Sequence, residues 1–82
     1  MTRDELNRRA DALEMNGLRY EEQALRDALN GIGKDDYLEF FGIDDDSADE
    51  EWQAHIDCLI GMVNQLKEKI AELRNEAKRA AE

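Results

Sequence analysis

WQAHIDCLIGMVNQLKEKIAELRNEAKRA, residues 52–80, is the stretch that decides how this chain folds. Trp52, Ile56, Leu59, Val63, Leu66, Ile70, Leu73, Ala77 and Ala80 recur at alternating steps of four and three residues. A repeat of 3.5 residues keeps one apolar seam in line along a helix. Written as heptads, Ile56, Val63, Ile70 and Ala77 occupy position a. Trp52, Leu59, Leu66, Leu73 and Ala80 occupy d. β-Branched a with leucine d favours two-stranded packing. In the first half the stripe widens, because Ile60 falls at e and Met62 at g, so both flanks are expected to be buried there. Gly61 is the only interruption, at a cost of about 1 kcal/mol relative to alanine.

Working back from Trp52, Ser47 and Glu50 have the spacing of a capping box and place the helix start near residue 48. Asp44-Asp45-Asp46 reads as a loop. Between Gly33 and Gly42 lies a short apolar piece containing Tyr37, Leu38, Phe40 and Phe41. One or two helical turns fit there, and the aromatic rings are expected to plug a small core. Further back, Asn30-Gly31 and Asn16-Gly17 both read as left-handed helix stops. Leu18, Leu25 and Leu29 are expected on one side of the helix between them. Thr2 and Glu5 form a capping box ahead of Leu6, Ala10 and Leu13.

The expected fold is all-α: a small helical bundle in one domain, residues 1–82. Helices are expected at about 3–16, 18–30, 35–41 and 48–80. Two short N-terminal helices and a short connecting helix pack on one long, coiled-coil-like C-terminal helix. That last helix would be roughly 50 Å long at 1.5 Å per residue. A compact domain of this size has a radius of gyration near 12 Å, so the helix would overhang. Helices of about 20 Å, folded back on the Trp52–Met62 half, would leave Leu66, Ile70 and Leu73 without cover. Burying those three side chains is worth on the order of 5–8 kcal/mol, so a homodimer through the seam is expected. In a parallel dimer Lys69 would face Arg74 of the other chain, which an antiparallel pairing or packing on the acidic N-terminal helices avoids.

Charge carries the functional signal. The net charge is −10. Residues 1–34 hold seven acids and six bases, and residues 67–82 four acids and five bases. Residues 35–66 hold ten acids and no lysine or arginine. Such segregation governs steering and partner choice. It excludes direct binding to nucleic acid or anionic lipid, which need a basic face. A protein partner with a basic surface would be attracted. The longest stretch free of charge and histidine, Cys58–Leu66, is nine residues and cannot span a membrane. One cysteine excludes an internal disulfide, and with no leader sequence the expected setting is cytoplasmic.

No residue constellation points to catalysis or to a cofactor. A twelve-residue calcium loop begun at Asp44 would put Asp49 where glycine is required and His55 where a bidentate glutamate is required. His55 and Cys58 share a helix face and resemble a base and a nucleophile. No glycine-rich loop or pocket-forming strand is near to supply oxyanion donors. Cys58 is expected to be a half-buried filler and His55 a flanking polar residue. Asp49, Glu50 and Glu51 complement the dipole of the helix they open. Trp52 reads as a core cap or an interface anchor.

The expected partner-binding surface is therefore Asp35, Asp36, Glu39, Asp44, Asp45, Asp46, Asp49, Glu50 and Glu51. Carboxylates one helical turn apart lie ~5–6 Å from each other, close to phosphate spacing along a strand. From Asp35 through Asp57 the chain resembles small acidic phage-encoded inhibitors, including anti-CRISPR proteins and other DNA mimics. The likeness is one of size, charge segregation and helicity, over about a third of the chain. It implies a non-catalytic inhibitor that presents a DNA-like surface to a nucleic-acid-binding protein or complex. The alternative is a coiled-coil dimerisation or adaptor module whose functional surface is the seam Trp52, Ile56, Leu59, Val63, Leu66, Ile70 and Leu73.

Overall fold

A computed structural model describes residues 1–80, and every regular element in it is helical. α1 spans Arg3–Ala12, α2 Arg19–Leu29, α3 Lys34–Phe40 and α4 Ala48–Arg79. The Thr2 hydroxyl accepts from the Glu5 amide at 3.2 Å and opens α1, which is the hydroxyl half of the expected capping box. α4 runs for 32 residues and carries the seam.

The N-terminal half differs from expectation at Asn16-Gly17. There is no left-handed stop. Among the described residues only Gly31, Gly33 and Gly42 have positive φ, and Leu13–Leu18 forms a π-helical turn that joins α1 directly to α2. The cause lies in the apolar spacing. Leu6, Ala10 and Leu13 follow the helical rhythm, but the next buried residue, Leu18, comes five positions later. A turn closed by i→i+5 bonds absorbs the extra residue and keeps Leu13 and Leu18 on the same side. The Arg19 amide donating to the Glu14 carbonyl is one such bond. Residues 3–29 are thus one helical rod about 40 Å long.

Asn30-Gly31 ends that rod as expected. Gly31 has φ +77°; its amide donates to the Ala28 carbonyl at 3.0 Å and the Ile32 amide to Asp27 at 2.9 Å. That is a Schellman pattern. α3 closes the same way at Gly42 (φ +64°), with Ile43 donating to Leu38 at 2.9 Å. Ser47, by contrast, makes no side-chain cap. Its backbone has already turned helical in a 3₁₀ turn, Asp45–Ser47, which leads straight into α4 and leaves the hydroxyl poorly placed for capping.

The two rods pack antiparallel. Arg74 near the end of α4 reaches Asp11 and Glu14, Leu66 lies against Gly17, and Trp52 reaches Ala28. Leu6, Ala10, Leu18, Val63, Ile70, Leu73 and Ala77 form one buried cluster, and Ala28, Trp52, Ile56 and Leu59 a second. Leu25 touches both. The indole Nε1–H of Trp52 donates to the Ala28 carbonyl at 3.1 Å, so the ring fills the core while its polar edge ties the rods together. Six of the seven seam residues are buried, and Leu66 is half-buried.

Three expectations about packing are corrected. Leu66, Ile70 and Leu73 are not left bare, because α1 runs on through the π turn and covers them. The premise for a second chain on the seam is thereby removed. Ile60 and Met62 are exposed, since a single partner rod covers a narrow a/d stripe and cannot reach e and g. Leu29 is exposed as well; Ala28, three residues after Leu25, takes the buried place. The molecule is a rod of 58 × 18 × 16 Å with a radius of gyration of 17.2 Å, well above the compact expectation.

Candidate functional site: the acidic, aromatic end of the hairpin

An antiparallel hairpin turns the middle of its sequence into one end of the molecule. Nine of the ten acids of the central segment, Asp35 to Glu51, therefore fall in α3, the loop after it and the first turn of α4 at the closed end, while Asp57 lies further along α4. The open end carries the near-neutral residues 1–14 and 67–80. All nine carboxylates of the expected surface are exposed. Asp49 pairs with Lys34 at 2.9 Å, on the one base of the connecting segment. Among the described residues the other eight have no ion-pair partner. The nearest arginine in sequence, Arg26, donates to Gln23 instead.

Four of the nine come together around one groove. Asp35, Glu39, Asp44 and Asp45 line it with Leu38 and Ile43, in a volume of about 440 Å³. The local sequence builds this wall: Asp35 and Glu39 stand one turn apart on α3, and the Schellman turn at Gly42 swings the chain back so that Asp44 and Asp45 face them. Asp36, Asp46, Glu50 and Glu51 are exposed outside this groove, so the surface has more than one facet.

The aromatic residues were expected in the core, and here the structure departs most from the sequence reading. Phe40 is 83% exposed and Phe41 60%. α3 is only seven residues long and shields just one face against α4, and Tyr37 takes that face. Tyr37 stacks on His55 at 4.6 Å between centroids and meets Trp52 edge-on at 5.4 Å. Phe41 leans on Tyr37 at 4.8 Å, and Phe40 meets Phe41 edge-on at 5.0 Å. A continuous aromatic chain thus runs from the buried Trp52 out to the exposed Phe40. His55 is engaged in this stack, and Cys58 is exposed and not the expected half-buried filler, since its position faces away from the partner rod. Among the described residues no hydrogen bond joins the two, and no cluster of three or more His, Cys, Asp or Glu could hold a metal ion.

The other end of the rod has a different character. Arg74 donates to Asp11 at 3.1 Å and to Glu14 at 2.9 Å. The hydrogen bond to Asp11, chiefly, holds its guanidinium charged above the ordinary arginine range. A groove of about 550 Å³ opens beside the π turn, and Arg9, Lys69, Leu13 and Leu73 are among the residues that line it. No sequence signal pointed to that groove beyond the five-residue step from Leu13 to Leu18. Compared with protein-family models, with curated proteins and with solved structures, the chain finds no match.

Proposed function

We propose that this chain is a non-catalytic binding protein, an inhibitor that offers the acidic end of its hairpin to the basic surface of a nucleic-acid-binding protein or complex. One observation carries the reading: eight exposed carboxylates gathered around one end without an ion-pair partner among the described residues. Uncompensated charge of that density costs stability through self-repulsion, and a solvated loop does not need it. Its use is outward, in steering and in complementarity to lysine and arginine. A DNA-like presentation follows from Asp35 and Glu39, one helical turn apart, continued by Asp44 and Asp45 across the groove. The adaptor reading has less support, because the seam it would use is already occupied by the chain's own N-terminal rod.

The test combines capture, salt and charge reversal. A nucleic-acid-binding protein recovered on the wild-type chain should elute as salt rises from about 0.15 M to about 0.5 M, and duplex DNA should compete for it. The variant carrying Asp44→Lys, Asp45→Lys and Asp46→Lys should keep its helicity and lose that capture. Equal capture by wild type and the reversed variant would remove the mechanism.

A further inference from the structure

The acidic reading leaves one feature unused. Phe40 and Phe41, two of the nine exposed large hydrophobic residues, touch each other at 5.0 Å between centroids in the same connection that carries the charge. Scattered exposed apolar residues need no explanation, but a cluster does. We propose that Phe40 and Phe41 are apolar anchors with which the acidic end enters its partner, and that this partner is a protein carrying lysine or arginine around an apolar pocket. The proposal rests on the acidic-end reading and adds what gives that contact its grip.

Three observations support it. First, the exposed Phe41 is backed by the core, and Phe40 meets it edge-on. Phe41 is braced on Tyr37, Tyr37 on His55 and Trp52, and Trp52 is hydrogen-bonded to the other rod. Side chains fixed before binding lose little freedom on binding, and aromatic anchors of that kind dominate interfaces. Second, the surrounding charge selects the partner. Asp36 and Glu39 share the seven-residue α3 with Phe40, and no lysine or arginine occurs from residue 35 to 66. An anionic membrane, a nucleic acid and the same end of a second copy are all repelled by that rim; a basic protein is attracted. Third, the end is small. The rod measures 18 × 16 Å across its long axis, so only the few residues of the tip can meet a partner end-on. Charge over so small an area gives fast but weak, salt-sensitive encounters. Affinity then needs desolvated anchors at its centre.

Two probes of equal positive charge separate the contributions: an amphipathic Leu/Lys helical peptide with an apolar stripe, and a Lys/Gln peptide without one. Fluorescence anisotropy should show the wild-type chain binding the Leu/Lys peptide at least about tenfold more tightly. Phe40→Ser with Phe41→Ser should erase that preference while leaving Lys/Gln binding unchanged. Phe40→Ser alone, at the more exposed position, guards against any folding effect and should remove part of the preference with helicity intact. The triple lysine reversal at Asp44, Asp45 and Asp46 should weaken both peptides. Equal affinity for the two peptides, or a preference that survives the double serine variant, overturns the anchor role and leaves the acidic end standing. Failure of the charge reversal to weaken either peptide overturns the acidic reading itself. Phe-dependent binding of the wild-type chain to phosphatidylcholine vesicles, without a peptide preference, would overturn the protein partner in favour of a membrane. Phe-dependent self-association at about 1 M salt, again without a peptide preference, would overturn it in favour of a second copy.

Discussion

Truncating Leu73 to alanine tests whether the apolar seam is satisfied inside one chain. Leu73 is buried in a cluster with Leu6, Ala10, Ile70 and Ala77, at the point where the sequence alone had left the seam bare. Removing its isopropyl group from such a site costs about 2–5 kcal/mol through lost transfer energy and residual cavity. A chain of 82 residues is held together by about 4–12 kcal/mol in all. A loss near 3 kcal/mol, at a urea dependence of about 1–1.5 kcal/mol per molar, lowers the midpoint by about 2–3 M. Circular dichroism at 222 nm reads it. The decisive arm is concentration. In a hairpin folded within one chain the wild-type midpoint is the same at about 2 µM and about 200 µM protein. Were a second chain covering Leu73, hundredfold dilution would remove about 2.8 kcal/mol per dimer and, with both chains unfolding together, move the midpoint by about 1 M. A concentration-dependent midpoint for wild type that becomes concentration-independent in Leu73→Ala would refute the intramolecular packing.

Two deletions and one substitution probe the rods. Deleting Asn16, which lies in the π turn, should convert that turn to ordinary α-helix and keep Leu13 and the following leucine on one face; thermal unfolding should change by no more than about 1 kcal/mol. Deleting the exposed Arg8 from α1 should be far worse, because it rotates Leu6 and Ala10 by about 100° relative to each other and takes one of them out of the core. Equal damage from both deletions would mean that the π turn is not an absorbed insertion. Gly61→Ala should stabilise the chain by about 1 kcal/mol, since a β-carbon there meets no atom within 4 Å. A lower melting temperature for that variant would show that Gly61 packs against another chain.

Much of this architecture can be read from residues 52–80, because burial follows a helical period that no nearby residue disturbs; Ile56, Leu59, Val63, Ile70 and Leu73 all face inward as their spacing demands. Asn-Gly is less informative. The pair at 30–31 ends a helix and the pair at 16–17 does not, and the difference lies downstream: Ile32-Gly33 offers a second left-handed residue, while Leu18 and Leu25 continue an apolar face that the opposite rod rewards. Tertiary packing overrules the local signal there. Aromatic residues mislead for the opposite reason. Their hydrophobicity argues for the core, but whether a seven-residue helix has a core to offer depends on the rod beside it, and of the three rings Tyr37 is the one packed on the second cluster.

Charge segregation was legible as a count along the chain and not as a place in space. Only the antiparallel turn converts a central acidic segment into an end, and that conversion changes what the charge is able to recognise. A carboxylate row along 58 Å of rod would match a long stretch of duplex; an end 18 × 16 Å across spans about five phosphates of one strand, counted at 3.4 Å of rise along the duplex axis. Mimicry on that scale suits a pocket, not an extended groove. A pocket that accepts the tip must also accommodate Phe40 and Phe41, which stand in the same connection, so charge and ring have to be satisfied by one and the same site.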